Sequence, residues 1–242
     1  MIIERRRVLQ ASAVLPLAAM ASAAPAATTD IVLNCDTALA PVMTAATARF
    51  FQQSSVRVRV FATGPGLILP QLARQIQNDL ICTRRDAVDA AASADLVAAG
   101  APRGAWRNRL VIAARAGAGP AAAKGRIAVS DPTPASDMDG PAILDGLGLG
   151  QAAVLGVIDT DEVAFLLLHG QADAGLLHLT DIHANPGLAV LSAVPDAAAP
   201  PITYSITVTK LARRPSPQAF VDFLMASEGA TMLRSLGLEA AA

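Results

Sequence analysis

The side chains able to do chemistry are few in this 242-residue chain: two cysteines, three histidines and short acidic runs. Cys35 and Cys82 are an isolated pair, which in an oxidising compartment points to one disulfide and otherwise to two thiols. Asp36 directly follows an apolar run, where a carboxylate favours the start of a helix. Asp137, Asp139, Asp161 and Glu162 form a second acidic set. His169 precedes Gly170 at a helix end, where an imidazole meets the last carbonyls, and His183 precedes the turn-forming Ala184-Asn185-Pro186-Gly187. The sequence holds no Gly-x-Ser-x-Gly elbow, no His-Glu-x-x-His, no Walker loop and no dinucleotide fingerprint. Binding rather than bond-making is the chemistry left to such a set. No enzyme activity and no cofactor are expected.

The elements that must hold these residues follow from periodicity. Ile31-Val32-Leu33-Asn34-Cys35 reads as a buried parallel strand, and Leu39, Val42, Met43, Ala46 and Phe50 recur at helical spacing after it. Arg57 to Thr63 is a second strand, the loop Gly64-Pro65-Gly66 opens a second helix, and Asp79 to Thr83 is a third strand followed by helix to about Ala99. Leu110 to Ala114, Arg126 to Ser130, Ala174 to His178 and Ile202 to Val208 are further strands. Helices are expected at 140–149, at 161–169, where Leu166-Leu167-Leu168 favours helix, and in one closing amphipathic segment over 217–235. Alternating strands and helices are the signature of an α/β fold.

The first ten residues carry paired arginines, Arg5-Arg6, ahead of Val8-Leu9-Gln10 and the apolar run Ala11 to Ala19, closed by small residues up to Ala26. This layout is that of a cleavable export leader over 1–26, resembling the twin-arginine type, with an ordinary basic signal as the alternative, and its apolar run is too short to span a bilayer of about 30 Å. Its removal would leave enough chain for one large domain or two lobes of about 100 residues each. No cysteine stands at the cleavage site, so no lipid anchor is expected. The net charge of −1 offers no basic excess for nucleic acid, and 3% aromatic content argues against a stacked sugar site. The expected product is periplasmic, monomeric and without a membrane span.

Taken in order, Leu72-Ala73-Arg74-Gln75-Ile76, Asp79-Leu80-Ile81, Asn108-Arg109-Leu110-Val111, Ala128-Val129-Ser130-Asp131-Pro132 and Gly170-Gln171-Ala172-Asp173-Ala174-Gly175 form a recognisable series. With the closing Phe220, Phe223, Leu224, Ser227, Gly229, Leu233 and Gly237, the chain resembles the periplasmic solute-binding proteins of ABC importers, of the molybdate-binding type, from Ile31 to Leu238. The resemblance implies two α/β lobes, each a mostly parallel sheet flanked by helices, joined by two crossing strands with the ligand between them. Lobe one would comprise 30–109 plus 204–242, and lobe two 110–203. The implied partners are a small ligand, molybdate or tungstate by family default, and an ABC permease. The alternative is a non-transport periplasmic receptor or accessory protein for a metal cation or small organic solute.

The family's oxyanion site maps onto this chain with its hydroxyls out of register. The first position falls on Ala38, beside Asp36 and Thr37, and the second on Gly64, beside Thr63. The third falls near Ala135-Ser136, the fourth near Thr160-Asp161, and the family's tyrosine on His178. Acids at these places disfavour a dianion, since two unit charges at 4 Å repel by about 4 kcal/mol at an effective dielectric of 20. Asp36 is also readable as a helix cap and the other acids as solvated rim charges. In this fold Cys35 and Cys82 would end neighbouring strands. A disulfide, two buried thiols, or a soft-metal site with His178 and Met138, suited to Cu(I), all remain open.

Overall fold

The computed structural model describes residues 30–100, 104–133, 136, 138–213 and 217–241. The leader expected at 1–26, and Ala135 and Asp137, lie outside the described residues.

Eleven strands and eight α-helices are present among the described residues. β1 (Ile31–Asp36) places Ile31, Leu33 and Cys35 on one face, each almost wholly buried, because successive strand residues point to opposite sides. A 3-10 turn (Thr37–Leu39) leads into α1 (Ala40–Ser54), whose Val42, Met43, Ala46 and Phe50 cover that face. β2 (Val58–Thr63), α2 (Pro65–Ala73), β3 (Leu80–Arg84), α3 (Arg85–Ser93) and β4 (Gly104–Asn108) follow. After β5 (Leu110–Arg115) come β6 (Arg126–Ser130), α4 (Gly140–Gly146), β7 (Ala153–Val157), α5 (Thr160–Leu168), β8 (Ala174–His178), α6 (Leu179–Ala184) and β9 (Leu188–Ala193). β10 (Ile202–Val208), α7 (Pro217–Met225), α8 (Ser227–Ser235) and β11 (Leu238–Ala240) close the chain.

The strands form two sheets, ordered β11-β4-β10-β3-β1-β2 and β7-β6-β8-β5-β9. The chain crosses between them twice, through Arg109 from β4 to β5 and through the proline-rich 194–201 from β9 to β10. Helices cover both faces of each sheet. In the first, Leu33, Cys82, Tyr204 and Ile206 pack on α1, α7 and α8, and Ile81 packs on Ile68, Leu72 and Val88 from the other side. In the second, Ile127, Val129 and Leu176 meet Leu144, while Val111, Ala128 and Leu177 meet Val163 and Leu167. Each such aliphatic side chain stabilises the fold by about 1.5–3 kcal/mol relative to exposure. This is the two-lobe α/β architecture that the sequence implied.

Several particulars differ from the sequence reading. Each sheet is mixed rather than mostly parallel. β1 pairs in parallel with β2 and β3, and β6 with β7 and β8. The strands next to the crossings, β10 and β5, run antiparallel to both of their neighbours because they return the chain between the sheets. β4, β7, β9 and β11 were not legible: β7, β9 and β11 are sheet edges, and β4 buries Gly104 and Asn108, residue types that strands disfavour. α3 stops at Ser93, with Asp95 in a left-handed turn at φ 60°. The expected closing helix is two helices, broken at Ala226. Gly229 sits so close to the end of α7 that a Cβ there would collide with the Phe223 carbonyl oxygen.

Candidate functional site

The carboxyl ends of β1, β6, β7 and β8 converge, and the segments leaving them form a narrow pocket of about 10 Å³ between the two sheets. Asp36, Thr37 and Ala38 line it from the first sheet; Ser136, Asp159, Thr160 and His178 line it from the second. Six of the eight residues picked out in the sequence therefore meet at one place. The crevice beyond the carboxyl ends of strands is where open α/β sheets bind ligands.

Three helix starts face this region, and each is occupied by a carboxylate of the protein itself. Asp36 Oδ1 accepts from the Ala38 N–H at 3.2 Å at the turn leading to α1. Asp159 Oδ1 accepts from the Glu162 N–H at 3.0 Å and caps α5. Asp181 Oδ2 accepts from the His178 N–H at 2.9 Å at the start of α6 and stands 3.3 Å from His178 Nδ1. The orphan donors that would cradle an oxyanion are thus engaged by built-in anions. Among the described residues no arginine or lysine lines the pocket. Asp161, in the first turn of α5, has its carboxyl pushed above the ordinary range by burial and then by Asp159 and Asp181.

His178 is fully buried. Its Nδ1 stands 3.3 Å from Asp181 Oδ2 and its Nε2 3.4 Å from the Tyr204 hydroxyl, with the roles of donor and acceptor set by the tautomer. Beside it, Asn108 Nδ2 donates to Thr180 Oγ1 at 2.8 Å, and Thr180 Oγ1 donates to the Ala38 carbonyl at 3.1 Å. All three residues are buried, so this chain of bonds ties α6 to the pocket wall of the first sheet.

Two of the expected residues do not reach the pocket. Thr63 ends β2, an edge strand, and Gly64 is the N-cap of α2, whose first turn faces a neighbouring cavity instead. That outer cavity, about 370 Å³, is lined by Pro65, Gly66, Arg84, Asp86, Ala87, Ala90, Thr133 and Ser136. It shares Ser136 with the narrow pocket, and it shares Arg84 and Asp86 with a further cavity of about 470 Å³. This last space is walled by Met138, Ile143, Leu110 and the 198–203 segment. Arg84 pairs with Asp86 at 2.8 Å, and that guanidinium holds the Asp86 carboxyl below the usual range. Asp159, Asp181, Arg84 and Arg85 are additions that the sequence reading missed. For Asp159 the signal was present, since Asp159-x-x-Glu162 ahead of an apolar run is a capping pattern.

The cysteine readings resolve to one. The disulfide is not formed: Cys35 and Cys82 are free thiols, in register on β1 and β3 and buried in the first-sheet core. Burial pushes both thiols far up, with the Asp36 carboxylate adding to the effect. Metal binding through Cys35, Cys82 and His178 is not supported either, because the sulfurs face α1 while His178 is committed to Asp181 and Tyr204. Among the described residues no group of three or more His, Cys, Asp or Glu side chains is placed to hold a metal ion. His169 meets the Phe165 carbonyl at 2.8 Å at the end of α5, as its position suggested.

A family model described as bacterial extracellular solute-binding protein matches residues 31–239. No curated protein matches the chain. Among solved structures, the periplasmic molybdate-binding protein of Azotobacter vinelandii superposes with a TM-score of 0.75 at 15% identity, covering 88% of this chain and 100% of that one. The substrate-binding domain of a putative molybdenum ABC transporter from Clostridium difficile gives 0.69 at 18% identity, covering 88% and 99%. L-phospholactate-bound PEB3, a protein of Campylobacter jejuni, gives 0.67 at 15% identity, covering 88% and 100%.

Proposed function

The chain belongs to the bacterial extracellular solute-binding proteins, and from that premise we propose that it captures a small solute between its two sheets and hands it to an ABC permease. The lobes are taken as 30–109 plus 204–242 and 110–203, and the working compartment as the periplasm, reached through the leader at 1–26. The observation that carries the reading is the pocket at the carboxyl ends of β1, β6, β7 and β8, walled from both sheets, which a solute would close by bridging them.

Structures of similar fold are named for molybdate and L-phospholactate, so the fold leaves the ligand to local chemistry. Here that chemistry opposes a tetrahedral dianion. Asp36, Asp159 and Asp181 already hold the helix starts, and every ionised carboxylate near a bound dianion adds repulsion, about 8 kcal/mol at 4 Å and an effective dielectric of 20. The solute is therefore one that tolerates or seeks negative charge.

Thermal melting with millimolar molybdate tests this. A ligand present at a thousand times its Kd stabilises by about 4 kcal/mol, worth roughly 8–16 °C in a protein of this size. The expected shift with molybdate or tungstate is none. A shift of that order would show that Thr37, Ser136 and Thr160 hold an oxyanion despite the acids.

A further inference from the structure

The three cavities differ in charge as well as size: among the described residues, the charged groups lining the narrow one are acids alone, and those lining the outer two are arginines and acids together. In the narrow pocket the charged groups are Asp36 and Asp159, and the helix starts are acid-capped. In the outer cavity the first turns of α2 and α3, both nine-residue helices, form the wall, and neither has a side-chain cap from its N-cap residue. Their N-terminal ends carry the positive pole of the helix; α2 opens on Pro65, which has no N–H, and in α3 the Ala87 N–H already donates to Asp86 Oδ1 at 3.0 Å, leaving Arg84 as the main cationic group there. Arg84 stands at the start of α3, and Arg85 adds a second guanidinium at the mouth of the cavity of about 470 Å³, where it pairs with Asp89 at 3.9 Å. Asp86 and Asp139 are the acids on that side, and Asp86 is held against Arg84. The spaces adjoin one another, with Ser136 and Arg84 as shared walls. Together the outer ones have the volume of an organic-molecule site, which a bare oxyanion or metal ion would leave empty.

Resting on the solute-capture reading above, we propose that the solute is an amphoteric organic molecule. Its ammonium or guanidinium group enters the pocket of Asp36 and Asp159, and its carboxylate lies toward Arg84 and the first turns of α2 and α3. The methylene stem passes Ser136, and any bulkier substituent rests on Met138 and Ile143. Hydroxyls of Thr37 and Thr160 accept from the cationic head. The carboxyl-capped helix starts, which would repel a molybdate, become the feature that selects the amine.

The test is calorimetric titration of the purified protein with the ω-amino acids from 3-aminopropanoate to 6-aminohexanoate and with arginine. For each, the matching alkylamine and alkanoate serve as single-charge controls. At least one amphoteric member binds, and its two controls bind about tenfold or more weakly. Asp159→Asn, which keeps the helix cap, weakens the amino acid and the amine but not the alkanoate; Arg84→Met weakens the amino acid and the alkanoate but not the amine. Circular dichroism melts confirm that both variants fold. Failure of every amphoteric member to bind overturns the inference, as does binding that neither variant alters. If molybdate, tungstate or a neutral solute binds instead, the inference falls and solute capture stands. If the protein recovered from its producing cells carries no small molecule by native mass spectrometry and no probe binds, both fall.

Discussion

Replacing Thr180 by valine removes one hydroxyl and nearly preserves the shape of the side chain. The residue is 1% exposed, and its hydroxyl receives the Asn108 amide at 2.8 Å and donates to the Ala38 carbonyl at 3.1 Å. In the variant both groups face a methyl inside the protein. Asn108 is itself fully buried, and its Oδ1 has no hydrogen-bond partner, so the side chain gains nothing by flipping. Stranding one buried polar group costs about 1–3 kcal/mol, so the pair costs about 2–6. The valine methyl returns about 1 kcal/mol of burial. The net loss is about 1–5 kcal/mol, a fall in Tm of roughly 2–20 °C. Urea unfolding of Thr180→Val beside Thr180→Ser reads it directly, since serine keeps the hydroxyl and loses only a methyl. A Thr180→Val protein within about 0.5 kcal/mol of the parent would refute the claim that this bond chain holds the pocket wall. So would a serine variant as unstable as the valine one.

Two further outcomes follow from Asp161 and from the buried thiols. Asp161 has its folded pKa raised, so its ionisation weakens the fold above that pKa, and the penalty fades as pH falls toward the unfolded value of about 3.9. Asp161→Asn is therefore more stable than the parent at neutral pH, with the advantage shrinking through the folded pKa and gone below about pH 3.9, as paired melts across pH would record. Cys35 and Cys82 resist iodoacetamide near pH 8 in the folded protein and react only on unfolding, because burial suppresses both thiolates. Mass spectrometry showing rapid alkylation of the native state would contradict this, and so would a count of free thiols that rises on adding reductant.

Much of this was legible in the residues. The seven strands read from apolar runs all exist, and the family resemblance, not the strands by themselves, pointed to Asp36, Thr37, Ala38, Ser136, Thr160 and His178, which line one pocket. β7 and β9 escaped because edge strands expose one rim and their burial is shallow, so periodicity fades. Thr63 and Gly64 were assigned to the pocket through register with the family pattern. Although Thr63 pairs with Asp36 on β1, the loop after it turns toward the outer cavity. The partnership of His178 with Asp181 sits three residues along the chain, yet its meaning needs the start of α6 between them. Arg84 was invisible as a site residue because an arginine at a strand end is common; only the cavity beside it gives it a role.

The most direct test of solute capture is native mass spectrometry of the protein recovered undialysed from its producing cells, alongside Thr37→Arg, whose long cation fills the half-buried pocket mouth. The account predicts one small molecule per parent chain, lost from the Thr37→Arg variant while its fold persists. An empty parent protein, or an adduct that survives unchanged in the variant, would contradict it.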